Sequence, residues 1–161
     1  MRLTPRSTST RTFLLWPAVV AAETALARRR PHPAGAPLLL AGYGLYRFAG
    51  AYRLPRAGGP PGMTGLPERL VEDGPYRWCR NPMYAGHVLF LTGLTVATRS
   101  PLAAAVLLGH LPWFGRRVRR DEARLRAHFG PAYDAYRSQV PRWLPLPPVG
   151  RREPRSLGHN G

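Results

Sequence analysis

The stretch Gly74–Gly86, GPYRWCRNPMYAG, sets two arginines, three aromatic rings, two prolines and the chain's only cysteine at the edge of an apolar run. That run, Asn81 to Thr98, is 18 residues long and carries no charge. Asn81–Pro82 reads as a helix start, because Asn caps free backbone N–H groups and Pro fits the first helical position. Ser100–Pro101 repeats the device before the next apolar run with no such decoration. Capping therefore leaves Tyr76, Arg77, Trp78, Arg80 and Tyr84 unexplained. Two readings stand for them: anchoring at a membrane–water interface, which favours Trp, Tyr and Arg, or a binding site. Cys79, between Arg77 and Arg80, reads as a passive thiol, and a single cysteine excludes an internal disulfide framework. A second concentration is Asp121–Glu122, two adjacent acids in a chain that has only 8 against 24 basic residues.

Elements must carry these groups. The 161 residues are enough for one domain without staples. All 24 basic residues are arginine, and a net charge of +16 suits nucleic acid, an anionic membrane face or anionic substrates. Four apolar segments lie between the arginine clusters: Thr12 to Ala27, Ala36 to Tyr52, Pro82 to Thr98 and Pro101 to Gly115. Each spans ~25 Å as a helix at 1.5 Å per residue, short for a hydrocarbon core of about 30 Å. The first two carry Glu23 and Arg47; the last two are clean, are separated by Arg99–Ser100, and read as a helical hairpin. Neither shows the polar stripe of a soluble bundle helix. The expectation is an all-α fold, a multi-span membrane bundle of about four hydrophobic helices with cytosolic C-terminal helices.

Arginines before the third segment (Arg53, Arg56, Arg69, Arg77, Arg80) and after the fourth (Arg116, Arg117, Arg119, Arg120) fall at one end of a hairpin. The positive-inside rule makes that end cytoplasmic, in a cell membrane crossed several times. Arg28, Arg29 and Arg30 break the rule, so the first segment is interfacial or, with ALA at 25–27, a signal peptide; Glu23 argues against the latter. Residues 54–67 form a Pro/Gly-rich loop. Trp113 to Phe129 is a helix that becomes charged, supported by the Arg117–Asp121 and Glu122–Arg126 spacings. Gly130 ends it, Pro131 starts another helix, and Pro141 stops that one. Residues 1–145 make one domain, and 146–161 read as a disordered tail.

LVEDGPYRWCRNPMYAG, a hydrophobic hairpin, then DEARLRAHFGPAYDAYRSQVPRWLP together resemble the isoprenylcysteine carboxyl methyltransferase family and its relatives among phospholipid methyltransferases. The similarity runs from Leu70 to Pro145. It implies an integral-membrane enzyme that uses S-adenosylmethionine without a Rossmann domain and methylates a lipidic or hydrophobic small-molecule acceptor amid membrane lipids. By position it implies a cofactor pocket of Leu70, Val71, Tyr76, Asn81, Pro82, Met83, Tyr84, Asp121 and Glu122. Arg117 matches a position associated with the acceptor's carboxylate. The family's R-H-P has Asn81 in place of His, and its Glu-Glu is Asp121–Glu122, which points to a divergent bacterial-type branch.

The residue types suit that cofactor. A helix N-terminus at Asn81–Tyr84 is a natural anion site for its carboxylate, and Arg80 and Arg142 offer further forks. Asp121 or Glu122 suits the ammonium, and Tyr76 or Tyr84 the adenine or the sulfonium. Transfer to a carboxylate needs no general base, so alignment and water exclusion carry the chemistry, with Arg117 and Arg80 as the catalytic candidates. The alternatives are a lipid-amine methyltransferase, a nicotinamide-dependent membrane reductase, and a non-catalytic basic protein on nucleic acid or anionic lipid. Nucleic acid is not expected, because the two clean apolar helices would have no use there. His87 and His110 lie on the hairpin without metal-like spacing and read as structural or pore-lining. Phe129, Tyr133, Tyr136 and Trp143 follow helical spacing, with Tyr133 and Tyr136 open between packing and chemistry.

Overall fold

The structure, a computed structural model, describes residues 7–58 and 66–143. Among the described residues it contains five main helices and no strand. These are α1 (Trp16–Leu26), α2 (Gly35–Ala57), α3 (Pro82–Thr98), α4 (Pro101–Phe129) and α5 (Pro131–Gln139), with a 3₁₀ turn at Gly74–Arg77. The tail at 146–161 and the middle of the 54–67 loop lie outside the described residues.

Helix α1 begins earlier than its apolar pattern, through a turn at Thr8–Thr10 and a π-helical stretch at Arg11–Leu15. Pro17 explains the stretch: it lacks an N–H and its ring crowds the carbonyl four residues back, which a widened turn relieves. Helix α2 runs on through Pro55 to Ala57, into the expected loop. Helix α4 is continuous across Pro112, so the apolar fourth segment and the charged helix after it form one rod of 29 residues.

The all-α expectation holds, but the expected multiple spans need correction: among the described residues no helix is long and apolar enough to cross a membrane. Helix α3 stops at 17 residues, α2 carries Arg47, Arg53 and Arg56, and α4 turns charged after Gly115.

The tightest pairing is α2 against α3. A Cβ on Gly42 would lie 2.4 Å from the Phe90 backbone nitrogen, and one on Gly86 would lie 2.7 Å from the Gly42 carbonyl oxygen. Two backbones can approach this closely only where both surfaces lack side chains. The α3–α4 turn is as short as the sequence suggests. Arg99 takes a left-handed cap at φ 50°, and the Ser100 hydroxyl accepts from the Ala103 N–H at 3.2 Å. Ser100 also donates to Glu23 at 2.6 Å. That explains the charge in the first apolar segment: Glu23 ties α1 to the hairpin turn. Helix α1 therefore runs antiparallel to α4, with Glu23 beside Ser100 and Trp16 beside His110, ring centroids 5.9 Å apart.

Candidate active site

At the opposite end of the hairpin, the 3₁₀ turn, the start of α3 and the charged half of α4 converge with the segment after α5. The Arg80 N–H donates to the Pro141 carbonyl at 2.9 Å, and the Cys79 thiol lies 3.3 Å from the carbonyls of Arg142 and Trp143. Tyr136, from α5, donates its hydroxyl to the Tyr76 carbonyl at 2.7 Å. The two blocks of conspicuous residues, remote in sequence, are thus knit together.

Glu122 is the centre of that knot. It is 6% exposed and accepts from the Arg142 guanidinium at 3.0 and 2.8 Å through Nε and Nη2. Arg80 lies 3.4 Å away, and the Asn81 side-chain amide donates at 3.0 Å. A carboxylate this enclosed is stable only with its charge balanced and its lone pairs filled. The Asn81 amide also reaches the Arg142 carbonyl at 3.3 Å. With its side chain so engaged, Asn81 makes no side-chain cap on α3. The capping expectation is corrected here: Ser100 caps α4, whereas Asn81 leaves the N-terminus of α3 open.

In front of the knot lies a cleft lined by Leu70, Val71, Tyr76, Arg80, Asn81, Pro82, Met83, Tyr84 and Asp121. All of these except Arg80, a catalytic candidate, are sequence-expected cofactor residues. Asp121 accepts from the Tyr84 hydroxyl at 2.8 Å and lies 3.6 Å from Arg124. Glu122, expected in the same pocket, sits behind the lining instead. Arg117 is outside the lining too and lies 3.9 Å from Asp121. Sequence reasoning did not assign Arg53, Arg69 or Arg124 to the cleft, which they line together with Tyr133 and Tyr136. The only signal for Arg53 and Arg69 was their place in an arginine cluster at this end of the hairpin.

Among the described residues the cleft lining is cationic, with Arg53, Arg69, Arg80 and Arg124 against one acid, Asp121. Arg80 Nε is buried without a hydrogen-bond partner among the described residues, a donor suited to an incoming carboxylate. Burial pushes the Tyr76 and Tyr133 phenols up to about 12, so both are neutral hydrogen-bonding rings at physiological pH. Burial also pushes the Cys79 thiol up, which makes it a poor nucleophile. His87 is 3% exposed, its Nδ1 2.7 Å from the Met83 carbonyl, and it packs among Phe13, Tyr46 and Phe114.

The described residues thus form an all-α scaffold in which an open helix N-terminus faces an arginine-lined cleft. The chain belongs to the phospholipid methyltransferase family, whose model matches residues 32–132, from just before α2 into α5. It is 35% identical over 81 residues to the protein-S-isoprenylcysteine O-methyltransferase of Schizosaccharomyces pombe, covering 49% of this chain and 34% of that one. The Mus musculus protein of the same name is 35% identical over 78 residues, covering 48% and 28%. The cobalt-zinc-cadmium resistance protein CzcN of Cupriavidus metallidurans is 34% identical over 76 residues, covering 47% and 35%. The chain thus spans about a third of the length of these curated relatives. No solved structure matches the chain significantly.

Proposed function

We propose that the protein is a membrane-associated S-adenosylmethionine-dependent methyltransferase that methylates a carboxylate on a lipidic or hydrophobic acceptor. The observation that carries this reading is the uncapped start of α3. It opens, beside the unpartnered Arg80 Nε and the carboxylate of Asp121, into a cleft formed by the family-matched segments. When bound, S-adenosylmethionine supplies an electrophilic methyl group. The residues fit its charged groups. The free N–H groups at Met83 and Tyr84 and the neighbouring Arg80 Nε suit its carboxylate, Asp121 its ammonium, and Tyr76 or Tyr84 its adenine or sulfonium.

The cleft is small, about 80 Å³, and two of the arginines that line it, Arg69 and Arg124, are exposed. A carboxylate acceptor is already ionised, so the chain's contribution is alignment and exclusion of water. Glu122 acts from behind by fixing Arg80 and Asn81, and Arg117 holds Asp121 or meets the acceptor's head.

Membrane association is supported by large apolar side chains left exposed on three helices, among them Leu26, Leu40, Phe48 and Leu108. The excess of arginine over acid in the cleft favours a second reading, a nicotinamide dinucleotide whose phosphates the arginines would hold.

Calorimetry on the detergent-purified protein separates the readings. We expect S-adenosylhomocysteine to bind in the micromolar range, and Asp121→Asn to weaken it about tenfold, the loss of one charge-assisted contact. Tight binding of a reduced nicotinamide dinucleotide with none of the nucleosyl thioether would replace the methyltransferase reading with the second one.

A further inference from the structure

A second cavity, of about 430 Å³, lies between the start of the α1 region and the apolar half of α4. Thr8, Arg11 and Trp16 form one wall; Leu102, Ala105, Val106, Gly109, His110 and Trp113 form the other. The second wall is a helical stripe with spacings of three and four, about 16 Å long from Leu102 to Trp113. Its two ends differ in chemistry. Because α1 runs antiparallel to α4, the Leu102 end lies toward the hairpin turn and the Trp113 end lies toward the cleft. The turn end is apolar. The cleft end brings Arg11, the one arginine among the described lining residues, together with the Thr8 hydroxyl and the His110 and Trp113 rings. Trp16 adds an indole N–H that is buried without a partner among the described residues.

The polar end is one side chain away from the cleft. Phe114 is fully buried and touches Trp113 and His110 of the slot, ring centroids 5.3 and 5.5 Å away. Its ring also packs against Tyr84 of the cleft at 5.6 Å. Thr8, Arg11 and Trp16 precede residue 32, where the family match begins.

We propose that this slot binds a single-chain amphiphile with a carboxylate head, the chain along Leu102–Gly109 and the head at Arg11. The volume falls in the range of small-molecule sites, and one apolar end with one cationic end matches the two halves of such a ligand. Phe114 stands between the slot and the cleft, so the bound amphiphile is a ligand distinct from the methyl acceptor, and its binding does not rest on the methyltransferase reading.

The probe is cis-parinaric acid, a fluorescent long-chain fatty acid, titrated into the full chain in nanodiscs, with the corresponding alcohol as comparison. A Cβ on Gly109 would have no atom within 4 Å, so Gly109→Leu adds bulk to the slot wall from a position where its first side-chain carbon meets nothing. Ala105→Leu, on the same exposed wall, repeats the test if the first variant folds poorly. Saturable binding weakened at least about tenfold by either variant is the expected result. Arg11→Gln should weaken the acid about tenfold and leave the alcohol unchanged. Equal binding by wild type and both leucine variants overturns the slot, as does displacement by phosphatidic acid but not by oleate. S-adenosylhomocysteine binding is measured in parallel. Its absence beside a normal parinarate titration would sink the methyltransferase reading and leave the slot standing.

Discussion

The Asn81 side-chain amide donates to Glu122 Oε1 at 3.0 Å across 41 residues of sequence. This bond turns a residue placed like a helix cap into a cross-link and leaves the start of α3 open. It also makes the acidic pair on α4 unequal, since Glu122 is enclosed while its neighbour Asp121 lines the cleft.

Glu122→Ala leaves the guanidinium groups of Arg80 and Arg142 facing each other without a counter-charge. We expect a loss of about 2–3 kcal/mol, less than the full cost of breaking a buried pair because the Arg142 side chain is part-exposed and regains water. Thermal unfolding in detergent checks it, and an unchanged melting temperature would refute the central role given to Glu122.

Alkaline unfolding follows from the buried phenols. Tyr76 and Tyr133 are pushed up to about 12 from the ordinary 10.0, and Tyr136 is also raised, each chiefly by burial. The unfolded chain ionises first, so this stabilisation is complete below about pH 10 and is lost as pH climbs through 12. Phenolate absorbance should therefore rise in two steps, exposed tyrosines first and the buried ones, Tyr84 among them, together with loss of helix. A single step near the ordinary value would contradict their burial.

Cys79 should resist alkylation. Its thiol is 5% exposed and its pKa is raised by burial. Maleimide labelling of the native protein is expected to be at least about tenfold slower than after denaturation. Equal rates would mean that the seam between residues 79–81 and 141–143 is open.

The α2–α3 contact predicts a contrast between glycines. Gly42→Val must push the Phe90 backbone away and should cost about 3 kcal/mol. Gly109→Ala, with open space around its new Cβ, should change the melting temperature little. Similar melting temperatures for the two variants would show that the helices do not meet as described.

Much of the scaffold was legible because local chemistry decides it. Apolar runs bounded by Asn–Pro and Ser–Pro locate α3 and α4, and Gly130–Pro131 locates the break before α5. The convergence of residues 70–84 with Asp121 was legible only through the family resemblance, because no periodicity connects them. Helix ends were less legible: α2 runs past Tyr52 because one proline near a helix end costs less than its packing returns.

The sequence by itself determined which residue types are present and where helices must start: an arginine-rich end, an apolar hairpin, two acids side by side. Tertiary structure alone decided what each polar group touches. Glu23 found Ser100, Asn81 found Glu122 rather than its own helix, and Arg53 and Arg69 turned into a cleft. The physical reason is that a buried charge or amide takes whichever partner fills its lone pairs and N–H groups at the lowest desolvation cost. That partner is set by how helices pack, at separations in sequence that no local pattern encodes.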